Sequence, residues 1–308
     1  MLNRGRTAMD LPAEVGRIVA DRTDTASMRA ALEATEWDAV HDVSGFVMAA
    51  GGSEFDELLE LLDGRVGCYV FVSSIMAYAS SPRMPWTEDL PVRDEGRGTY
   101  GGFKAYAEGR ILDRHARTGF PGAVARPAAI YGPHNNILDM EAAMFLRLRR
   151  GLPVLVPHEG LVTTSYGHVD DLSELLAAMA QTPAAVGQVV NATGEAMTSL
   201  GYVEALAQIV GVSADIRQVP TDLLPQLAGP LFGHLFDSRH HGILSTEKAR
   251  ITLGLPAERG FLVGHVDTYD WFCGSELVDA PEAMSDPVWG AGYDFAAEAR
   301  AAAQLAPR

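Results

Sequence analysis

The chain has 308 residues, 47% hydrophobic and 21% charged, which sets the expectation of one large or two smaller globular domains. Its formal charge of −16 argues against a nucleic-acid partner, which needs a basic patch, and against an anionic membrane surface. Two cysteines, no apolar run near the ~20 residues of a membrane span and no signal-like start set the expectation of a cytoplasmic protein with no membrane partner.

In chain order, Arg17–Ala20 reads as a short strand, and Asp24 as the cap of a helix through Ala34. Trp37–Val43 reads as a buried strand, and Glu54–Leu62 as an amphipathic helix. Cys68–Ser73 is an almost wholly apolar strand. Tyr100–Thr118 is a long helix stopped by Gly119 and Pro121, and Gly122–Ala125 is another buried strand. Strands apolar on both faces belong to parallel sheets covered by helices, so the fold class is α/β with an open, doubly wound sheet.

Beyond Pro133 the spacing predicts helices over Met140–Arg150, Asp171–Gln181 and Leu200–Gly211. It predicts extended segments at Pro153–Val156, Gln188–Asn191 and Asp215–Val219. Pro220–His241 reads as irregular, and Thr246–Leu253 and Gly264–Cys273 as short helices. The tail after Ser275 is acidic and rich in Ala and Gly, and either packs as an appendage or stays partly loose.

Chemistry concentrates in Tyr100-Gly-Gly-Phe-Lys104 at the start of the long helix. A spacing of four puts both side chains on one helix face, and a nearby ammonium favours tyrosinate. With only two lysines in the chain, Lys104 and Lys248, the pairing is informative. Ser73 and Ser74 directly follow a predicted strand, where ligands of open α/β sheets bind; the competing reading is a pair of turn-capping serines. No metal-ligand spacing, nucleophile elbow or clustered cysteine is present, so no metal is expected.

With these residues in view, the chain resembles the extended short-chain dehydrogenase/reductase superfamily in its NAD(P)-dependent epimerase/dehydratase branch. The supporting stretches are NRGRT at Asn3–Thr7, the strand ending Val19-Ala-Asp21, VFVSS at Val70–Ser74, the Tyr/Lys pair, ARPAAIYGPHN at Ala125–Asn135 and YGHVDDL at Tyr166–Leu172. The resemblance implies a Rossmann-like cofactor domain over residues 1–133, with 162–194 returning to it. Residues 134–161 and 195–275 would bind substrate, and 276–308 would form the appendage. It implies a catalytic triad of Ser74, Tyr100 and Lys104, with Tyr100 moving a proton at a substrate oxygen that Ser74 orients. It implies cofactor contacts from Asp21, Ser44, Gly45, Phe46, Ser73, Tyr100, Lys104, Arg126 and Pro127. Asp21 has turn chemistry as an equal alternative, and Ser44–Phe46 a plain loop. Asp170 reads as the cap of the helix from Asp171, and His168 as a satisfied packing histidine.

NAD or NADP is the implied cofactor. Arg4 and Arg6, with no acid beside them in Asn3–Arg6, lean toward the 2′-phosphate of NADP; exposed arginines near a chain start are the alternative. The implied substrate is a nucleotide sugar or a similar hydroxyl/carbonyl metabolite, and the implied assembly a homodimer. The family's Gly-rich loop has no match, and NRGRT corresponds to the end of the second strand, so the first strand and its glycine turn are not found. Either the written start is not the true one or the sequence is a fragment, which is the favoured expectation, or the loss is real. A real loss would leave a non-catalytic binding or regulatory protein on a degraded Rossmann scaffold.

Overall fold

The computed structural model describes residues 1–6, 11–43, 53–135, 137, 140–227, 236, 238–279 and 295–305. Two short parallel strands, β1 (Leu2–Asn3) and β2 (Ile18–Val19), pair with each other. Helix α1 (Thr25–Leu32) follows, capped as expected by the Asp24 carboxylate, which accepts from the Ala26 and Ser27 amides. Then come β3 (Trp37–Asp42), α2 (Glu54–Leu62), β4 (Val66–Val72), α3 (Tyr100–Thr118) and β5 (Gly122–Pro127). The second half contributes β6 (Ala129–Tyr131), α4 (Glu141–Arg150), β7 (Val154–Pro157), β8 (Thr163–His168), α5 (Val169–Gln181) and β9 (Val189–Ala192). It ends with β10 (Ala196–Thr198), α6 (Ser199–Val210), β11 (Ile216–Val219), α7 (Glu247–Leu253), α8 (Phe261–Cys273) and α9 (Phe295–Ala302).

The main sheet is parallel, in the order β3-β4-β5-β9. Both faces are covered, as the apolar runs require. On one face, Phe55 and Leu59 of α2 and Phe103 and Ile111 of α3 pack on Tyr69 and Phe71. On the other, Leu175 and Met179 of α5 and Ala249 of α7 pack on Val70, Ala123 and Val190. A third cluster holds α4, α6 and α8 together through Phe145, Tyr202, Phe261 and Phe272. The α/β class with a Rossmann-like parallel sheet stands as read from the sequence.

Two expectations change. The strand at Trp37–Val43 is not buried throughout: Asp38 and His41 are exposed, because β3 pairs only with β4 among the described residues. The segment Thr163–His168, which gave no strand signal, forms the centre of a three-stranded sheet, β10-β8-β6. The C-terminal helix α9 docks through a buried Arg147–Glu298 ion pair and through Ala301 and Ala302 beside Leu155 and Val219. Among the described residues, no helix is long and apolar enough to cross a membrane.

Candidate active site at the carboxyl end of strand β4

The site is built where β4 runs into a single helical turn at Ile75–Ala77 and where α3 begins. Thr99 caps α3 by accepting from the Gly102 amide, which sets Tyr100 as the first helical residue. Gly101 and Gly102 then allow the surrounding chain to close over the helix start. A Cβ on Gly102 would stand 1.9 Å from the Gly96 carbonyl oxygen, and one on Gly101 2.3 Å from that of Met76. This role of the two glycines was not read from the sequence, although a Gly-Gly pair inside a helix is itself a signal of close backbone approach.

Ser74 closes the site from the strand side. Its hydroxyl accepts from the Met76 amide at 3.1 Å, the turn-capping reading, and also hydrogen-bonds the Tyr100 side chain. The serine thus caps the turn and is bonded to Tyr100 at the same time. Lys104, one turn on from Tyr100, is 3% exposed. Its Nζ donates to the Val72 carbonyl at 2.6 Å and lies 4.8 Å from the Phe71 ring centroid and 5.5 Å from that of Tyr100.

The electrostatics differ from the expectation for the phenol. Burial pushes the Tyr100 hydroxyl up, and the Ser74 hydrogen bond opposes it. The expected lowering by the ammonium is not found, because burial acts on Lys104 as well. It pulls that amine down to about 8, with Asp42 working against it, Arg22 reinforcing it and Glu108 working against it.

Two residues expected at the cofactor are committed elsewhere. The Ser73 hydroxyl donates to Glu108, and Arg126 forks onto the same carboxylate, its Nε lying 3.0 and 3.1 Å from the two oxygens. All three are buried. The guanidinium also stacks on Tyr78, 4.3 Å from the ring centroid, and Tyr78 donates to Asn191 at 2.8 Å. Ser73 and Arg126 thus form a floor beneath the site, tied to β9, rather than a free ligand surface. Pro127, the last residue of β5, is buried opposite Ala192.

Further out, Arg4 and Arg6 are exposed after β1. Asp21 follows β2 and accepts from the Thr23 amide at 3.0 Å and from its hydroxyl at 2.8 Å, the geometry of its turn alternative. The Thr23 amide is the main cause lowering this carboxyl, its hydroxyl adds to it, and Arg4 and Arg6 contribute from a distance. Ser44, Gly45 and Phe46 lie outside the described residues.

Asp170 does not cap α5. The helix starts at Val169, and the His168 ring nitrogen Nδ1 accepts from the Asp170 amide at 3.2 Å. His168 is buried, but only half satisfied: its Nε2 has no protein partner. A small open cleft borders His168, Asp171, Thr193, Arg250 and Glu258 on the α5/α7 side, and none of Ser74, Tyr100 and Lys104 lines it. The structure groups no three His, Cys, Asp or Glu residues that would hold a metal among the described residues.

The structure brings together three further charged groups that the sequence reading passed over. Glu108 lies one turn beyond Lys104 on the face that carries Tyr100, a spacing that would have marked it. Asp42 is a charge closing an apolar strand, and Arg22 reaches it from the turn before α1.

Comparison with known proteins follows the same architecture. The chain is 27% identical over 266 residues to the chloroplast stem-loop binding protein of 41 kDa b from Arabidopsis thaliana, covering 85% of this chain and 65% of that one. It is 27% identical over 210 residues to dTDP-glucose 4,6-dehydratase from Streptomyces niveus, covering 68% of this chain and 58% of that one. The chain thus spans less than two thirds of either relative. Among solved structures, an epimerase from Methanothermobacter thermautotrophicus superposes with a TM-score of 0.72 at 18% identity, over 90% of this chain and 85% of its own. The model of the NAD dependent epimerase/dehydratase family matches residues 8–193, a span that includes Ser74, Tyr100, Lys104 and strand β9, and the chain belongs to that family.

Proposed function

We propose that this chain is an NAD(P)-dependent epimerase, dehydratase or reductase that moves a hydride at a hydroxyl or carbonyl carbon of a nucleotide sugar or a similar metabolite. The observation that carries the reading is the Ser74–Tyr100 hydrogen bond beside a buried Lys104 at the carboxyl end of β4. The family description supports the cofactor, and the Streptomyces relative supports the substrate class.

The residues present fit the nicotinamide side of such a cofactor. Tyr100 and Lys104 share a helix face, and Pro127 ends the neighbouring strand. Bound there, the nicotinamide supplies the hydride acceptor or donor. The fit is weaker toward the pyrophosphate: the amides at the start of α1 are taken by Asp24, and among the described residues no helix follows β1 directly.

The chain's own residues handle the proton. A buried phenol raised above its ordinary value is protonated at neutral pH, so Tyr100 holds a proton to give to a substrate carbonyl oxygen. Ser74, already bonded to the phenol, orients that oxygen. Lys104 stands beneath the phenol and favours its anion when charged.

Calorimetric titration with NADP+ and NAD+ tests the binding half, and turnover of a panel of dTDP- and UDP-sugars tests the chemistry. Tyr100→Phe is expected to lower turnover by at least about a hundredfold while cofactor affinity and the unfolding temperature stay near wild type. Turnover retained in that variant sinks the assignment. No binding of either dinucleotide favours the non-catalytic scaffold instead. A stem-loop RNA in the same instrument tests a second reading, suggested by the Arabidopsis relative and opposed by the charge of −16.

A further inference from the structure

Asp42 is the last residue of β3, and its register partner in β4 is Phe71. The Arg22 guanidinium forks onto its carboxylate, and the Tyr69 hydroxyl donates to Oδ2 at 2.5 Å. Asp42 is 4% exposed. Lys104 descends from α3 onto the same strand ends, with Nζ over the Phe71 ring and bonded to Val72, the next residue. Among the described residues, a small cluster of charged and titratable groups surrounds this amine, directly or through one partner. They are Tyr100 and Glu108 on its own helix, Arg22 before α1, Asp42 on β3, Tyr69 on β4 and Arg126 on β5. Glu108 is closed by Ser73 and Arg126, and Asp42 by Arg22 and Tyr69. Lys104 is the one cation of this group without a carboxylate of its own.

We propose that Asp42 is a positioning residue of the Ser74, Tyr100 and Lys104 site, one that keeps the Lys104 side chain charged in its buried place, with Arg22 trimming that influence. The inference rests on the reading of Lys104 as part of the working site. Its physical basis is simple: burial disfavours the ammonium, a carboxylate at the neighbouring strand end restores it, and a guanidinium bound to that carboxylate opposes the restoration. The amine is poised at about 8 by this balance, with burial the largest influence and Asp42 the next.

The two partners of one ion pair must then act on Lys104 with opposite signs. Asp42→Asn removes the carboxylate and leaves the Arg22 charge, so Lys104 loses its proton more easily. Arg22→Gln leaves the carboxylate without its cation, so Lys104 holds its proton more tightly. Lysine labelled with 13C at Cε gives only two side-chain signals in this chain, from Lys104 and Lys248, and Lys104→Arg assigns them. We expect the Lys104 titration midpoint to fall in Asp42→Asn and to rise in Arg22→Gln, each by at least a tenfold change in the protonation equilibrium. Asp42→Glu, which keeps the charge, should restore most of the wild-type midpoint, and Tyr69→Phe, which removes a hydrogen bond and no charge, should move it little. Circular dichroism confirms that each variant is folded; if Asp42→Asn is not, Arg22→Gln against Tyr69→Phe makes the same comparison. Midpoints that move in the same direction in both single variants, or do not move, overturn the proposal. The titration needs no substrate. Opposed shifts in a chain that turns over no nucleotide sugar would uphold the Asp42–Lys104 coupling and count against the catalytic reading alone.

Discussion

The two ends of the parallel sheet are built to different standards. Strands β4, β5 and β9 are paired on the sides that face one another and buried along nearly every residue. Strand β3 exposes Asp38 and His41, and the β1-β2 pair forms a separate ribbon whose Val19 is 65% exposed. The same four core residues of α2 and α3 that cover β4 leave β3 only partly covered. The proposed chemistry sits at the well-built end, and the proposed adenosine side at the other. The difference teaches that the hydroxyl-and-amine cluster rests on strand ends fixed from both sides, whereas the ribbon assigned to the far side of the cofactor under the proposed reading offers only exposed arginines.

The largest expected effect breaks the well-built end. Glu108→Gln leaves Arg126 buried without its carboxylate, and its Nη1 already has no partner. Removing one member of a buried ion pair costs about 3–5 kcal/mol, because the remaining charge is stranded away from water. Urea unfolding is expected to show a loss of that order, against little change for Asp89→Asn, which breaks the exposed Arg83–Asp89 pair. Equal losses would mean that the floor beneath the site is not set apart from the surface.

This floor also marks where the sequence stopped being legible. Helices α2 and α3 match their expected limits at both ends, and for α3 the signals are local to the chain: the Thr99 side chain caps its start and Gly119, at φ 77°, ends it. The Tyr100/Lys104 face and Ser74 are legible for the same reason: a helical period and a strand end are local facts. Glu108, Asp42 and Arg22 are paired across separations of about twenty residues, and a charge in a sequence is read as a surface charge until its partner is known; Arg126 reads as a cofactor contact for the same want of a visible partner. Strand β8 escaped notice because its pairings with β6 and β10 are made at a distance, while Thr-Thr-Ser-Tyr-Gly-His carries no alternation of its own. The cap of α5 went to His168 rather than Asp170, a shift of two residues that only the backbone reveals.

Titration is expected to separate two buried cation-forming side chains. His265 on α8 is stacked 3.7 Å from the Tyr131 ring centroid, and its Nδ1 is bonded to the Phe261 carbonyl at 2.9 Å. Burial holds it down to about 3, against an ordinary 6.5. In acid the unfolded histidine binds a proton that the folded one refuses, so stability falls as pH drops from 6.5 toward 3, by about 1.4 kcal/mol per pH unit for one proton. Lys104, held down to about 8 from 10.5, acts at the other end: the folded amine releases its proton first, so stability rises between those values. Urea unfolding at intervals from pH 4 to 10 should show the acid slope reduced by one proton in His265→Phe and the alkaline slope unchanged. A change in both slopes would mean that the two regions do not titrate independently.

The smallest effect tests the loosely built end. If Arg4 and Arg6 meet a 2′-phosphate, the double change to Ala should weaken NADP+ binding by about tenfold and leave NAD+ binding alone, as expected for charge-assisted bonds near solvent. Stability should move by no more than about 0.5 kcal/mol, because both side chains are exposed. The effect is expected to stay modest for a reason visible in the fold. Asp21, across the β1-β2 ribbon, already feels both arginines, and a phosphate held by them would meet repulsion from its carboxylate. Asp21→Asn should therefore strengthen NADP+ binding in the wild-type background and do so less when Arg4 and Arg6 are gone. Calorimetry on the wild type and the three variants closes the cycle. Equal weakening of NAD+ and NADP+ in the arginine variant would break the 2′-phosphate assignment and move the proposed adenosine site away from this ribbon altogether.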